Sequence, residues 1–355
     1  MTKAVQTAVV GVTGYAGAEL ARLLLHHPRL TSTPPLFAGR VDEKDAARGG
    51  ISLEEIHPQL ADNNGSRSLK VQLFSWETLA ERSVEMLFLA TPHEQSREWV
   101  PEALKHGLRV VDLSGAWRLQ NAKNRAVYAF QDDGSNVAVA TQAQAVYGMP
   151  ELHRAEIAGA KLVANPGCYA TSVILALRPL VAAGIIDVSN GIVADAKSGV
   201  SGAGKVPTAK THYMYAADNL SAYAVFSHRH TGELLEQIGI GADDIMFTPH
   251  LLPIPRGIMS TIYARFKEPQ KRENVARVYR EFFAGSPMVR LYENSLPQIQ
   301  YSVHTNFADI GFQLSSDGRR AVIVSCLDNL LKGASGQAVQ NMNVMLGWGE
   351  AEGLA

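Results

Sequence analysis

The fold of the first half of the chain is decided by residues 4–25, AVQTAVVGVTGYAGAELARLLL. Residues 4–10 are a short apolar run typical of a buried strand, and residues 19–25 carry a helical pattern. The glycines between them follow a G-x-x-G-x-x-G spacing, which permits a tight turn and lets backbone N–H groups approach a pyrophosphate at the helix N-terminus. The stretch therefore predicts a dinucleotide-binding turn that consists of Gly11, Thr13, Gly14, Tyr15, Ala16 and Gly17.

The strand–helix pattern continues through the first 150 residues. Further strands are predicted at 36–39, 84–90 and 109–113, with a helix at about 94–105. Strands that alternate with helices form a mostly parallel, doubly wound sheet. We therefore expect residues 1–150 to form an α/β domain of the Rossmann type.

The end of the second strand indicates which dinucleotide binds. NAD-specific folds usually carry Asp or Glu there for the ribose hydroxyls, whereas this chain has Ala38-Gly39-Arg40. An arginine can pair with a 2′-phosphate. Arg40 therefore favours NADP(H) as the cofactor of residues 1–150; the alternative is an arginine in a solvated loop.

From about residue 151 the pattern is mostly strand-like, which predicts an α+β domain over residues 151–330. Its strands are expected at 192–196, 245–248, 259–266, 307–314 and 320–327, with a hairpin turn at Ser316-Asp317-Gly318. A largely antiparallel sheet of this kind commonly packs against a partner, so we expect a homodimer or homotetramer. Residues 331–355 begin with helical character and are expected to pack back on the first domain.

A cysteine at a Pro-Gly turn, in Asn165-Pro166-Gly167-Cys168-Tyr169, immediately precedes an apolar helical run. The exposed N–H groups and the positive dipole at a helix N-terminus favour a thiolate. Lowering a thiol pKa by two units takes roughly 2.7 kcal/mol, and a helix terminus supplies at most about 2 kcal/mol, so a second group is needed. Cys168 is thus predicted to be a reactive nucleophile; the alternative is burial, which we expect for Cys326 in its apolar strand.

The second group is predicted in Ser227-His228-Arg229-His230-Thr231-Gly232-Glu233. His230 and Glu233 are three residues apart at the start of a helix, so the carboxylate could fix the imidazole tautomer for general acid/base catalysis. His230 is the first choice for proton transfer and His228 the second. We expect no metal, because an H-x-H pair without cysteine is a weak ligand set.

Composition excludes several classes of function. The net charge of -1 offers no basic field for nucleic acid or an anionic membrane, and no apolar run has the roughly 18 residues of a spanning helix. Two cysteines and the lack of an apolar leader indicate the reducing cytoplasm. The glycine-rich loop at 197–205 is not an ATP-binding Walker motif, because Val206 stands in place of the magnesium-binding hydroxyl. An anionic substrate must therefore meet a few placed arginines, of which Arg118 and Arg256 lie in turn-rich loops.

Taken together, these motifs resemble the N-acetyl-gamma-glutamyl-phosphate reductases of arginine biosynthesis, within the wider group of aspartate-semialdehyde and glyceraldehyde-3-phosphate dehydrogenases. The resemblance spans nearly the whole chain, and its most specific parts are the Pro-Gly-Cys-Tyr turn and the His-Arg-His segment. Further matching motifs begin at residues 11, 89, 112, 147, 198 and 328. Two positions depart from it, because Ala170 and Gly232 stand where the family often has proline.

The resemblance implies a second domain of the glyceraldehyde-3-phosphate dehydrogenase-like type and a reaction through a cysteine thioester. Cys168 would displace phosphate from N-acetyl-gamma-glutamyl phosphate, and NADPH would reduce the thioester to N-acetylglutamate 5-semialdehyde. Ser198, Gly199 and Asn329 would lie near the nicotinamide. The anionic ends of the substrate would be bound by Arg118, Arg256 and Ser114.

Two other functions stay open at this point. A related semialdehyde dehydrogenase would act on aspartate semialdehyde or on a carrier-linked aminoadipyl or glutamyl phosphate. A non-catalytic NADP sensor would have no need of Cys168 together with His230.

Overall fold

The computed structural model describes residues 5–61 and 69–354, which form two β-sheets with helices packed on them. The first sheet has eight strands in the order β3-β4-β2-β1-β5-β6-β8-β7, all parallel except for the β3–β4 pair. These strands are β1 Thr7–Val10, β2 Leu36–Gly39, β3 Ile51–Ser52, β4 Lys70–Leu73, β5 Met86–Leu89, β6 Arg109–Asp112, β7 Ala145–Tyr147 and β8 Leu162–Ala164. The predicted doubly wound sheet is confirmed; residue 4, where the first strand was expected to begin, lies outside the described residues.

Eight helices cover or connect these strands. They are α1 Tyr15–Leu25, α2 Glu43–Ala47, α3 Leu53–Ile56, α4 Trp76–Glu81, α5 His93–Lys105, α6 Ala122–Arg125, α7 Asn136–Gln142 and α8 Pro150–Gly159. The expected domain boundary at residue 150 falls inside this unit, because β8 pairs with β6 and β7 in the first sheet. The three-residue strands β7 and β8 are too short to give a clear periodicity, which explains the early boundary.

The glycine turn after β1 depends on close backbone approaches. Gly11 has φ +90°, and a Cβ there would lie 2.7 Å from the carbonyl carbon of Ala90. A Cβ on Gly17 would lie 2.7 Å from the Cα of Val12, whereas Gly14 has no neighbour nearer than 3.7 Å. Gly11 and Gly17 are therefore required for packing, and Gly14 leaves the turn open beyond the carboxyl ends of β1 and β5, where doubly wound sheets bind their ligands.

The second sheet has seven strands in the order β10-β11-β9-β12-β15-β14-β13. They are β9 Ile192–Gly199, β10 Ser221–Ala222, β11 Ile245–Leu252, β12 Ile258–Arg265, β13 Val289–Tyr292, β14 Ala308–Leu314 and β15 Arg320–Leu327. The β9–β11 and β13–β14 pairs are parallel and the others antiparallel. β14 and β15 pair as the predicted hairpin, with Gly318 at φ +67° in its turn.

The helices of the second unit include the one that begins at the predicted cysteine. They are α9 Cys168–Ala182, α10 Tyr213–Ala216, α11 Thr231–Ile238, α12 Arg272–Phe282 and α13 Ile299–Ser302. Buried residues of α9 share one apolar core with those of β9, β11, β12, β14 and β15. Almost all of α9 is buried in that core, which fixes the position of the helix that begins at Cys168.

The end of the chain returns to the first sheet. A π-helical turn, Leu331–Ser335, leads into α14, Gly336–Met345. Ala338, Val339 and Met342 of α14 belong to the same buried apolar cluster as Leu20 and Phe88 of the first unit. The segment thus connects the two units, and within 5–61 and 69–354 no helix is long and apolar enough to cross a membrane.

Candidate active site

Cys168 is the first residue of α9, directly after β8 and the turn Asn165-Pro166-Gly167. Gly167 is the N-cap residue, and its extended conformation (φ -75°, ψ 146°) is open to any residue type. A Cβ on Gly333, in the π-helical turn, would lie 2.8 Å from the Cβ of Cys168. The cysteine therefore lies where the first turn of α9 meets the segment that returns to the first sheet.

Glu233 holds the cysteine turn in place. Its fully buried carboxylate accepts hydrogen bonds from the backbone N–H of Gly167 (2.9 Å), the hydroxyl of Tyr147 (2.7 Å) and Nη1 of Arg118 (3.1 Å). Tyr147 was not predicted as a site residue, because this contact joins positions 86 residues apart and leaves no local pattern. Glu233 thus links the two domains at the cysteine turn.

His230 lies against Gly167 through the Nε2 edge of its ring. A Cβ on Gly167 would meet Nε2, and would lie 2.6 Å from Cε1. The backbone N–H of His230 donates to Nδ1 of His228 (3.2 Å), and the two rings pack edge to face with centroids 4.7 Å apart. The structure therefore places the ring of His230 against Gly167, the residue before Cys168, and the ring of His228 against that of His230.

The expected hydrogen bond between His230 and Glu233 is absent. Their closest atoms, Nε2 and Oε1, are 4.0 Å apart, beyond hydrogen-bond distance. The carboxylate is instead committed to Gly167, Tyr147 and Arg118. Glu233 can therefore stabilise a positive charge on His230 but does not fix its tautomer.

The ionisation of Cys168 differs from the expectation of a lowered pKa. Burial raises the pKa of the Cys168 thiol and outweighs the hydrogen bond from the Tyr169 N–H and the positive charges of Arg118 and Arg229. Burial likewise lowers the pKa of His230 well below 6.5, helped by His228 and Arg118. The protein alone therefore holds a neutral thiol beside a neutral imidazole, so His230 is free to accept a proton. Cys326 is buried as expected, and burial raises its pKa to about 12.

Arg118 is buried at the centre of the site. Besides Glu233, its guanidinium donates to the carbonyl oxygens of Asn165 (2.7 Å) and Leu113 (2.8 Å). Burial opposes its charge, but Glu233 raises the pKa of Arg118 above the usual value. Arg118 is therefore a permanent cation that also fixes the residues before Cys168.

Two predicted substrate residues are engaged elsewhere. The hydroxyl of Ser114 donates to Asp112 (2.8 Å) and accepts from the Ala116 N–H (3.1 Å). Arg256 forms ion pairs with Asp328 (3.0 Å) and with Glu19 of α1 (2.7 Å). In this structure Arg256 thus joins the two units, and it is not among the groups around Cys168.

The glycine turn offers the N-terminus of α1 to an anion. Gly14 caps the helix without a side-chain hydrogen bond, and the first turn, Tyr15 to Gly17, contains no acidic residue. The carbonyl of Thr13 accepts from Nζ of Lys205 (3.3 Å), and that of Ala16 from Ser335 (2.7 Å), so loops of the second unit reach this turn. The first-turn N–H groups and the open side at Gly14 fit a dinucleotide pyrophosphate.

Arg40 follows β2 and is exposed, with no ion pair among residues 5–61 and 69–354. The carbonyl of Ala38, two residues earlier, accepts from the N–H of Gly11 (3.0 Å), so Arg40 lies at the same edge of the sheet as the glycine turn. This is where a ribose 2′-phosphate would lie in a doubly wound fold.

The other predicted nicotinamide residues gather in a second loop cluster. The Oδ1 of Asn329 accepts from the Gly257 N–H (2.7 Å), and its Nδ2 donates to Ser201 (2.9 Å). A Cβ on Gly202 would lie 3.0 Å from Oγ of Ser198 and 3.6 Å from Nδ2 of Asn329, and the Gly199 N–H donates to the Gly257 carbonyl (2.9 Å). Ser198, Gly199 and Asn329 are therefore neighbours. No group of metal ligands occurs in the part of the chain that the structure describes.

Comparison with known proteins identifies both units. Residues 6–160 match a family model described as the semialdehyde dehydrogenase NAD binding domain, and residues 168–329 match the semialdehyde dehydrogenase dimerisation domain. Similar solved structures include aspartate semialdehyde dehydrogenase II from Vibrio cholerae complexed with ASA (TM-score 0.70, 18% identity, covering 97% of this chain and 99% of that one). Another is the NADP-bound enzyme from Candida albicans (TM-score 0.66, 15% identity, covering 97% and 98%). At these identities the likeness concerns the fold.

Sequence relatives are more similar. N-acetyl-gamma-glutamyl-phosphate reductase of Methanococcus maripaludis is 40% identical over 352 residues, covering 98% of this chain and 97% of that protein. The protein of the same name from Desulfotalea psychrophila is 41% identical over 357 residues, covering 99% and 98%.

This fold and the cysteine at the domain junction define a semialdehyde dehydrogenase, an oxidoreductase class. Within that class, identities near 40% over nearly the full length decide the family. The chain belongs to the N-acetyl-gamma-glutamyl-phosphate reductase family. The predicted family, fold class and type of enzyme are thereby confirmed.

Proposed function

We propose that the protein reduces N-acetyl-gamma-glutamyl phosphate to N-acetylglutamate 5-semialdehyde and phosphate with NADPH, the reductive step of arginine biosynthesis. Membership of the reductase family and of the semialdehyde dehydrogenase class supports this reaction. The observation that carries it is the position of Cys168, with its turn bonded to Glu233 and covered by His230.

In the first half-reaction the Cys168 sulfur attacks the acyl carbon of the substrate. The S–C bond forms, the C–O bond to the phosphoryl group breaks, and phosphate leaves. His230 takes the thiol proton: its lowered pKa keeps the ring neutral beforehand but also makes it a weaker base, so the transfer depends on stabilisation of the imidazolium. Glu233, 4.0 Å from Nε2, stabilises the imidazolium so formed. The product of this half-reaction is a thioester on Cys168.

In the second half-reaction the thioester carbonyl would accept a hydride, the chemistry that NADPH would supply when bound. The N–H groups at the start of α9 face the developing oxyanion, and Arg118 adds a positive charge nearby. Collapse of the thiohemiacetal breaks the S–C bond and releases the semialdehyde. His230 returns its proton, which restores the neutral pair.

The chain's own groups would hold the cofactor at two places. The N-terminus of α1, from Gly11 through Thr13, Gly14, Tyr15 and Ala16 to Gly17, suits the pyrophosphate, and Arg40 suits the 2′-phosphate. Ser198, Gly199 and Asn329 form the loop cluster expected at the nicotinamide.

We infer that the chain assembles as a homodimer or homotetramer in the cytoplasm. The matching dimerisation-domain model supports oligomerisation. Within the residues that it matches, 168–329, the single chain exposes large apolar side chains. The cytoplasm also keeps free thiols such as that of Cys168 reduced. The exposed side chains are Val206, Tyr213, Met214, Tyr215, Leu220, Val225 and Phe226.

The test of the reaction is phosphate-dependent NADP reduction with N-acetylglutamate 5-semialdehyde and, in parallel, with aspartate semialdehyde. We expect turnover with the acetylated substrate alone. Turnover only with aspartate semialdehyde would overturn the substrate, and inactivity with both, despite tight NADP binding, would favour a carrier-linked substrate or a sensor.

The variant Cys168→Ser tests the assigned nucleophile. We expect turnover to be lost while NADP affinity stays near that of the parent, because the cysteine lies at α9 and the glycine turn at α1. Retained turnover, or loss of NADP affinity as well, would contradict the assigned site.

A further inference from the structure

Arg229, between the two histidines of the site, is a cation without an anionic partner. Its side chain is exposed, and no carboxylate of residues 5–61 or 69–354 pairs with it. By contrast, Arg118 is bonded to Glu233, and Arg256 to Asp328 and Glu19. Its Nη1 lies 2.8 Å from Nε2 of His93, a contact that is a hydrogen bond only when Nε2 carries no proton.

His93 cannot satisfy both groups that point at it. Its Nδ1 accepts the backbone N–H of Gly115 (2.8 Å). Burial and the Arg229 charge lower the pKa of His93 to about 4, so the ring is neutral and has one lone pair. The two N–H groups, one of the Gly115 backbone and one of Arg229, therefore compete for a single lone pair. When the Gly115 N–H holds it at Nδ1, the proton is on Nε2, and the N–H groups of His93 and Arg229 both need an acceptor, which an anionic oxygen would supply.

A third donor lies next to His93. The hydroxyl oxygen of Tyr128 is buried without a partner in the described residues, and the ring lies edge to face with His93 at 5.1 Å between centroids. A Cβ on Gly115 would lie 2.6 Å from Cζ of Tyr128, so the hydroxyl is next to that loop. Burial raises the pKa of Tyr128 to about 12, which keeps its proton available for donation.

Arg229 directly precedes His230, whose ring lies against Gly167, the residue before Cys168. Its charge is also among those that lower the pKa of both Cys168 and His230. The phosphoryl group leaves from the same carbon that Cys168 attacks, so its binding site must adjoin the sulfur. Three donors match the terminal oxygens of a phosphoryl group better than the two oxygens of a carboxylate.

We propose that Arg229, together with His93 and Tyr128, binds the phosphoryl group of the acyl phosphate and the inorganic phosphate that leaves. This proposal rests on the reaction given above. It makes Arg229 the second guanidinium of the substrate site, in the role that the sequence predicted for Arg256.

Steady-state kinetics of phosphate-dependent NADP reduction test the assignment once the parent's activity is established. In Arg229→Gln we expect KM for phosphate to rise at least about tenfold, the loss of one charge-assisted hydrogen bond, with KM for the semialdehyde near the parent value. The KM for phosphate of Arg229→Lys should lie between those of the parent and of Arg229→Gln. Tyr128→Phe should show a smaller rise in this KM than Arg229→Gln. Arg82→Gln, at an exposed arginine at the end of α4, is the matched control.

Alkylation of Cys168 gives a readout that does not depend on the substrate. Iodoacetate is an anion and iodoacetamide is neutral, so an anion site beside the sulfur raises the iodoacetate rate relative to iodoacetamide. We expect that ratio to fall severalfold in Arg229→Gln, and added phosphate to slow iodoacetate in the parent but not in the variant. This test stands even if the parent reduces neither semialdehyde, and Arg229→Lys replaces the Gln variant if the latter does not fold.

Two results would overturn the proposal that Arg229 binds the phosphoryl group. A rise in KM for the semialdehyde instead of phosphate would assign Arg229 to the substrate carboxylate and overturn the proposal. Unchanged KM values and an unchanged alkylation ratio would overturn it as well, since Arg229 would then bind no anion beside Cys168.

Discussion

We expect that a methyl group added at Gly167 pushes the ring of His230 away from the cysteine turn. In Gly167→Ala the new Cβ would lie 2.6 Å from Cε1 and 2.7 Å from Cδ2 of His230, whereas ordinary contact begins at 3.4 Å. The ring or the turn must therefore move by at least 0.8 Å, the difference between 3.4 and 2.6 Å. Misplacement of a catalytic group by about 1 Å costs on the order of 10²-fold in rate, or about 2.7 kcal/mol. We expect kcat to fall by that factor.

The fold should tolerate this change, because the φ of -75° and ψ of 146° at Gly167 suit alanine and the N–H bonded to Glu233 remains. The assay is kcat and KM for phosphate-dependent NADP reduction, with the thermal midpoint and NADP affinity measured alongside. Gly159→Ala is the matched control, since a Cβ at Gly159 meets nothing within 4 Å. Parental kcat in Gly167→Ala, or a loss explained entirely by unfolding or weaker NADP binding, would refute the contact between His230 and the turn.

Two further predictions concern the cofactor and the segment after β15 that returns to the first sheet. Arg40→Glu should weaken NADPH binding at least about tenfold and NADH binding far less, because the arginine would pair only with the 2′-phosphate; equal weakening in titrations of the two cofactors would exclude that role. Lys332→Met should lower the free energy of unfolding by about 3–5 kcal/mol, because Glu151, now 2.7 Å from Nζ, would be left buried and unpaired. Lys332→Met combined with Glu151→Gln should recover part of that loss in denaturant titrations, and no recovery would count against the pair.

The glycine turn and the cysteine turn were predictable because each is local. A strand, a spaced glycine run and a helix follow one another within residues 4–25, and the structure forms β1, the turn and α1 from them. Cys168 likewise begins α9 where the Pro-Gly turn and the apolar run meet. Six strands of two to four residues were not predicted, because so few residues give no clear periodicity; they are β3, β4, β7, β8, β10 and β13.

The charges of the site were less predictable, since they depend on partners distant in sequence. Arg118 and Arg256 look alike as loop arginines, yet only Arg118 lies beside the cysteine turn, whereas Arg256 pairs with Asp328, 72 residues away. The expected low pKa of Cys168 was wrong in direction, because the helix N-terminus can be read from sequence but the burial of the sulfur cannot. Without substrate, the site favours the neutral thiol.

Glu233 lies next to the cysteine turn, but its hydrogen bonds are not those that its spacing from His230 suggested. Its spacing of three from His230 suggested a hydrogen bond to the imidazole, but Nε2 of His230, the N-cap residue of α11, lies 4.0 Å from the Glu233 carboxylate. The carboxylate points instead at Gly167, Tyr147 and Arg118. Removing its charge should therefore disturb the cysteine turn and the buried cation before it affects the proton on His230. Because one carboxylate holds groups from both units, the geometry at Cys168 depends on the domain junction as a whole.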